Sequence, residues 1–346
     1  MKNLIKIVIC SILISFPIIF SKAISTGIKN GIEISLSLAI PSIFCFMVIC
    51  DILYKSGLIN TLISPLNKIL CALYNLDKDL IGVVVLSQIG GFPIGAKLIS
   101  DLVKSEKLDK TCAENMLCYC VNCGPAFLIG GVGIVLFRSI KIGLIIFICE
   151  LFASIFCGFL NRKSMQSKTR LFKDNCKKDY ANIIVTSTSS CVKAMSMICA
   201  FIILFCAFTQ IIQNLNISPT IKSIICGFVE VTQGCYNLCE LSFYQKLILS
   251  VLFTSFGGLC VHIQIASIIS GSEIKLKKFY LYRIVYTLIS TGLAILATKF
   301  IDIPIEVFNS YIKITPQIST NSYISSIFLI FLSIGLLLSC KKSAKI

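Results

Sequence analysis

The chain has 346 residues, of which 56% are hydrophobic and 14% charged, and its mean hydropathy is +0.90. Soluble globular domains carry about 45–50% apolar and roughly 25% charged residues, so this balance departs toward lipid. The 32 Lys and Arg outnumber the 16 Asp and Glu for a net charge of +16, but the basic residues stand between long apolar runs. That arrangement points to a polytopic membrane protein and away from a nucleic-acid binder. Disordered, collagen-like and disulfide-rich secreted classes are excluded by the same composition.

A membrane-crossing helix needs about 20 apolar residues. Residues 4–20 approach that length behind Lys2 and Lys6, so 1–30 reads as an uncleaved N-terminal anchor; Ser21-Lys22-Ala23 loosely fits a signal-peptide cleavage site, which keeps a cleaved signal as the rival. Residues 32–53 form a second span, bent or broken near Pro41, and the amphipathic stretch 58–75 an interfacial helix. Residues 80–103 are two short apolar pieces around Gly90-Gly91-Phe92-Pro93-Ile94-Gly95, expected to form a re-entrant hairpin. Residues 112–137 are interrupted at Asn122-Cys123-Gly124-Pro125, and a clean span follows at 142–160 with Glu150 near its middle.

Residues 161–188 read as a basic linker, in which Arg162, Lys163, Lys168, Arg170, Lys173, Lys177 and Lys178 face only Asp174 and Asp179. A span at 191–212 leads to a break within Val229-Glu230-Val231-Thr232-Gln233-Gly234. A second odd segment, 245–270, centres on Ser255-Phe256-Gly257-Gly258-Leu259-Cys260, and spans near 280–298 and 323–340 precede Lys341-Lys342.

Nineteen cysteines lie mostly inside the apolar runs, where a thiol behaves as a small hydrophobe. Cys120-Val-Asn-Cys123 is a CxxC, but no second pair stands beside a histidine, so neither a metal nor a redox site is expected. P-loop, HExxH and GxSxG motifs are absent, and the single histidine, His262, leaves no room for common catalytic triads. The expectation is no enzyme, no catalytic residues and no cofactor.

The two odd segments can be laid over one another without a gap. Ile89-Gly90-Gly91 falls on Phe256-Gly257-Gly258, Lys97 on Gln264, Ser100 on Ser267 and Ser105-Glu106 on Ser272-Glu273. The predicted architecture is therefore an all-α polytopic membrane protein built from two related, inverted repeats, 31–160 with its hairpin at 80–103 and 189–346 with its hairpin at 245–270. Duplicated halves that each carry a Gly/Pro-interrupted apolar segment point to a secondary transporter. Glycine permits the non-helical turn and proline removes a donor, so helices stop within the membrane. Their half-helix N-termini then offer free N–H groups to an anion. Isolated glycines have a plainer explanation as helix-packing contacts.

The positive-inside rule makes the linker and residues 1–6 cytoplasmic, and 80–103 then enters from the cytoplasm. An inverted 245–270 hairpin would enter from the far side and leave Lys275, Lys277, Lys278 and Lys341-Lys342 outside, against the same rule. A fully crossing 245–270 segment would remove that conflict.

Ser87-Gln-Ile-Gly-Gly-Phe-Pro-Ile-Gly-Ala-Lys97, Asn122-Cys-Gly-Pro-Ala-Phe127 and Ser255-Phe-Gly-Gly-Leu-Cys-Val-His-Ile-Gln264 resemble, in order and spacing over about residues 30–340, the YlbJ (SpoVV) family of sporulation integral membrane proteins. That family is grouped with nucleoside-recognition, or Gate, domains and looks related to concentrative nucleoside transporters. The family hairpin usually reads Gly-Tyr-Pro-Met-Gly-Ala-Lys, so Phe92 and Ile94 are departures, and a tyrosine hydroxyl is lost. The resemblance implies movement of dipicolinic acid across the mother-cell-derived outer forespore membrane during endospore formation.

The candidate substrate-binding residues are the backbone breaks (Gly90, Gly91, Pro93, Gly95, Gly124, Pro125, Gly257, Gly258) and the side chains Lys97, Asn122, Glu230, His262 and Gln264. Lys97 would face a ligand carboxylate or else snorkel at a hairpin end. Gln264 and His262 offer hydrogen bonds at the matching end of the second segment, with plain packing as the other reading of the histidine. Asn122 would donate to substrate or cap freed carbonyls. Glu230 is a candidate carboxylate for a coupling proton or cation, or a solvent-facing helix end. Glu150 lies mid-span, where ionisable groups are functional by default. Membrane lipids are the expected partners of the basic linker, a second copy of the chain is a further possible partner, and nucleic acid is not. Two rival functions stay open: a carrier of nucleosides or related heterocycles, and a non-transporting membrane scaffold of the spore envelope.

Overall fold

In lipid every backbone polar group must be satisfied internally, which leaves helices as the natural form of these apolar runs. The computed structural model describes residues 15–164, 179–239 and 241–299, and these contain helices and no strand. Residues 1–14 of the expected anchor, half of the linker (165–178), the 323–340 span and Lys341-Lys342 lie outside the described residues. Among the described residues five helices are long and apolar enough to cross a membrane: Ser21–Ser56, Ile140–Asn161, Tyr180–Gln213, Phe243–Ile268 and Lys277–Ala297.

Helix α1 (Ser21–Ser56) does not stop at Pro41. The turns Ser35–Phe44 widen to i→i+5 bonding, which absorbs the missing proline donor. Short helical turns at Leu58–Leu62 and α2 (Asn67–Tyr74) follow. Next come α3 (Lys78–Gly90), α4 (Phe92–Lys104), α5 (Lys110–Cys120), the i→i+5 helix α6 (Ala126–Leu136) and α7 (Ile140–Asn161). Helix α8 (Tyr180–Gln213) begins inside the expected linker, and α9 (Pro219–Val229), α10 (Val231–Tyr236), α11 (Phe243–Phe256), α12 (Gly258–Ile268) and α13 (Lys277–Ala297) follow.

Helices α1 and α8 pack antiparallel on small residues: a Cβ on Gly27 would lie 2.5 Å from Cys206 O, and one on Gly31 2.6 Å from Ile203 Cα. Such approach is the usual way helices associate without a hydrophobic drive between them.

Helix α7, about 33 Å long at 1.5 Å per residue, orients the remainder. Just before it Phe137 packs on the Phe243 ring at 5.6 Å, and just after it Arg162 O accepts from Asn75 Nδ2 at 3.3 Å. Ser154 Oγ donates to Tyr119 O at 2.8 Å, and Tyr286 OH donates to Glu150 at 3.4 Å while Tyr282 bonds Asn161. Helix α13 therefore runs antiparallel to α7, with its start at the Arg162 end.

Two segments fold back on themselves. Helices α3 and α4 reverse at Gly91, where a Cβ on Gly95 would lie 2.9 Å from Ser87 Cβ. Helices α9 and α10 reverse at Glu230, and Ser223 Oγ donates to Asn237 O at 3.0 Å across the turn.

The segment 245–270 is not a hairpin, which corrects the sequence expectation. Phe243 sits beside Phe137 at one end, whereas Ile268 O accepts from Ser100 Oγ at 3.1 Å toward the other. Gly257 has φ +91 and ψ −5 and its N–H still closes on Phe253 O at 2.8 Å, so the helix is interrupted and resumes. Gly91 has φ +84 but ψ −178, an extended step that turns the chain around. Both sites demand glycine because φ is positive; the differing ψ is invisible in the letters. The gap-free superposition of 89–106 on 256–273 thus pairs a hairpin with a crossing segment.

The loops that follow these segments meet. Lys110 pairs with Glu273, Lys278 Nζ donates to Asn115, and the Lys275 N–H donates to Glu114 at 3.1 Å. Lys275, Lys277 and Lys278 therefore share an end with Lys110 and the Arg162 side of the linker, which removes their part of the charge conflict expected for an inverted 245–270 hairpin.

Candidate functional site

Four helix breaks, at 91, 121–125, 230 and 257, leave peptide groups without helical partners, and each orphan costs several kcal/mol in hydrocarbon unless protein satisfies it. The breaks pack in pairs. Gly124 lies against Gly91, with a would-be Cβ 3.1 Å from Gly91 Cα, and Gly258 lies against Gly227 O and Phe228 O at 3.2 and 3.4 Å on the same measure. Each hairpin tip thus rests on the break of the crossing segment that follows it.

Arg283 of α13 joins the two crossing breaks. Its Nε donates to Phe256 O at 3.1 Å, the end of α11, and its Nη1 to Val121 O at 2.6 Å, just past the end of α5. Helix C-termini carry partial negative charge, so a cation between two of them is well placed. The guanidinium lies 4.8 Å from the Tyr286 ring and 5.4 Å from that of Phe92, the residue after the first hairpin's turn. Arg283 is 2% exposed, and its Nη2 has no hydrogen-bond partner. Glu150 is equally buried; its Oε1 accepts from Thr254 Oγ1 at 2.6 Å and its Oε2 from Tyr286 OH.

Beside this group, Asn122 Nδ2 donates to Gln88 Oε1 at 2.9 Å, to Tyr119 O at 2.7 Å and to Ser154 Oγ at 3.2 Å. Gln88 Nε2 donates in turn to Tyr119 O and Ser154 Oγ. The Asn122 donors are thereby committed to one carbonyl at the break and to the Gln88 and Ser154 side chains, and its buried Oδ1 has no partner. His262 Nε2 meets Phe256 O at 3.0 Å and its ring stacks on Tyr280 at 5.5 Å, so it packs among aromatics. Gln264 is buried and donates to Cys260 Sγ at 3.2 Å. Glu230 is buried and not solvent-facing; it caps α10 by accepting from the Gln233 N–H at 2.7 Å.

Lys97 stands apart from this network of breaks. Its Nζ lies 2.6 Å from Asp51 of α1 and 2.9 Å from Asp101, and Asp51 also pairs with Lys55 at 2.7 Å. Two cations and two carboxylates leave the cluster neutral. Lys97, expected either to face a ligand carboxylate or to snorkel, is here paired with two carboxylates of the chain itself. Pro93 opens α4 at its first turn, where its missing N–H is harmless, and Gly95 accommodates the Cys120 carbonyl.

Sequence reasoning singled out Lys97 and passed over Asp51 and Arg283. Both lie in apolar runs, where an ionisable residue is itself a signal, but neither is next to a glycine or proline.

No protein-family model matches the chain, and no solved structure does. The chain is similar to the sporulation integral membrane protein YlbJ of Bacillus subtilis (strain 168), with 22% identity over 297 residues that cover 74% of this chain and 73% of that protein. This similarity supports a relationship to the YlbJ sporulation membrane proteins, and the five apolar helices among the described residues fit a multi-pass integral membrane protein.

Proposed function

We propose that the chain is a secondary transporter of a small anionic or aromatic solute, dipicolinic acid, across the outer forespore membrane during endospore formation. The observation that carries this reading is the meeting of helix breaks around a buried polar network inside apolar helices. Broken helices place peptide N–H groups and carbonyls where a solute that leaves water can be held, and a chain that served only as a membrane spacer has no use for them. Helices α4, α6 and α12 each begin at a break, so their free N–H groups favour an anion.

The order of elements supports an inverted duplication, although with different partners from those the sequence superposition chose. Helix α1, hairpin α3–α4, broken segment α5–α6 and helix α7 correspond to helix α8, hairpin α9–α10, broken segment α11–α12 and helix α13. The first hairpin opens toward the Arg162 end and the second toward the Phe137 end. Two such halves supply the alternative packings that alternating access requires. With no nucleotide-binding motif in the sequence, transport runs on a solute or ion gradient.

Uptake of labelled dipicolinate by proteoliposomes, compared with uridine, tests the reading. Saturable dipicolinate uptake above empty liposomes is expected. Uptake of uridine alone would make the chain a nucleoside carrier, and uptake of neither would favour a scaffold.

A further inference from the structure

The guanidinium of Arg283 carries five N–H donors, and only two acceptors reach it, Phe256 O and Val121 O. Both protons of Nη2 and one of Nη1 remain, on a side chain 2% exposed. A buried donor without an acceptor is costly, and buried polar groups in folded proteins are otherwise paired. Among the described residues no carboxylate lies within ion-pair distance of Arg283, and Glu150 accepts from Thr254 and Tyr286 instead. Lys97, by contrast, is paired with two carboxylates.

The surroundings of the free edge suit a ligand. Tyr286 and Phe92 occupy the neighbourhood of the guanidinium through ring contacts at 4.8 and 5.4 Å, while a Cβ on Gly257 would sit 3.6 Å from Nη2. Gly257 thus stands beside Nη2 with no side chain between them. A terminal Nη1–Nη2 edge presents two coplanar donors, which match the two oxygens of a carboxylate.

We propose that Arg283 is the anion-binding residue of this chain and holds one carboxylate of a small planar carboxylic acid through its Nη2 edge, with Phe92 alongside the ligand's ring. The proposal rests on the transport reading above and names the group within it that meets the solute. Glu150, across Tyr286 from Arg283, is the carboxylate against which the ligand competes.

The test is thermal unfolding of the full chain purified in detergent, titrated with pyridine-2,6-dicarboxylate and separately with uridine. Wild type should be protected by the dicarboxylate. Arg283→Gln should bind it at least tenfold more weakly, and Glu150→Gln at least threefold more tightly because a competing negative charge is gone. If Arg283→Gln is not monodisperse, Arg283→Lys replaces it: the charge stays but the two-pronged edge is lost, and the same tenfold weakening is expected. Dicarboxylate affinity within threefold of wild type in a folded Arg283 variant, or weakened affinity in Glu150→Gln, overturns the assignment to Arg283 and leaves the transport reading standing. A wild-type chain that the dicarboxylate does not protect overturns the anion reading itself.

Discussion

Lys97 and Arg283 are both cations buried in the membrane-embedded part of the chain, and they are held in opposite ways. Lys97 sits in a closed set of charges with Asp51, Asp101 and Lys55, and Asp101 is half exposed. Arg283 reaches mostly carbonyls, lies between two helix ends and keeps donors to spare. The first arrangement locks α4 to α1; the second leaves bonding capacity at the place where the crossing segments are broken. A buried charge marks function only when its partners do not already use it up.

That contrast can be broken by substitution, and the largest effect should come from the backbone beside Lys97. Gly95→Ala puts a Cβ 1.7 Å from Cys120 O, and a clash with backbone has no cheap relief. Gly95→Ala is expected to yield no monodisperse protein on gel filtration in detergent, whereas Gly130→Ala, with nothing within 4 Å of its Cβ, should elute as wild type.

Next in size, Asp51→Ala leaves Lys97 with Asp101 alone and Lys55 without its carboxylate. Removal of one partner of a buried pair costs about 3–5 kcal/mol, so unfolding of this variant should move to clearly lower temperature. Replacement of both members, Asp51→Leu with Lys97→Met, should recover most of that loss because the charges left without partners, Lys55 and Asp101, both reach solvent. Recovery would confirm Lys97 as a structural lysine; a double variant as unstable as the single would argue otherwise.

Asn122→Ala removes donors from Gln88 Oε1, Tyr119 O and Ser154 Oγ. Tyr119 O and Ser154 Oγ keep donors from Gln88, so Gln88 Oε1 is the acceptor left bare; an unpaired buried acceptor costs about 1–3 kcal/mol, measurable in the same unfolding assay, and no change would mean that the break is held by other groups.

The smallest effect belongs to Glu273, whose carboxyl is held below the usual range by hydrogen bonding and charge from Lys110. This pair is exposed, and exposed pairs contribute little. Glu273→Gln should leave the melting temperature unchanged. The Lys110→Cys and Glu273→Cys pair, in a cysteine-free background, should still cross-link, since the two loops are neighbours.

Much of the fold was legible in the letters. Apolar length fixed the spans, and Gly-Gly-Phe-Pro, Asn-Cys-Gly-Pro, Val-Glu-Val and Phe-Gly-Gly each mark a real helix break. What those breaks do was not legible. Gly91 and Gly257 share a positive φ and therefore a glycine, yet one reverses the chain and the other does not, because ψ carries no sequence signature. The hairpin of the second half, α9–α10, turns at Glu230 with no glycine at the turn itself, so a search guided by glycine pairs chose the wrong partner for the first.

The site was legible in part for a related reason. Asn122, Glu230 and His262 were found because they adjoin breaks, and each serves that break by a hydrogen bond. Arg283 lies 27 residues from Phe256 and 162 from Val121 along the chain. Only the fold brings it to both.

The most direct measurement is dipicolinate uptake by proteoliposomes that carry the Asp51→Leu, Lys97→Met double variant. A structural Lys97 predicts uptake within threefold of wild type. A double variant that unfolds at the wild-type temperature and yet takes up no dipicolinate would return the anion site to Lys97 and contradict the account given for Arg283.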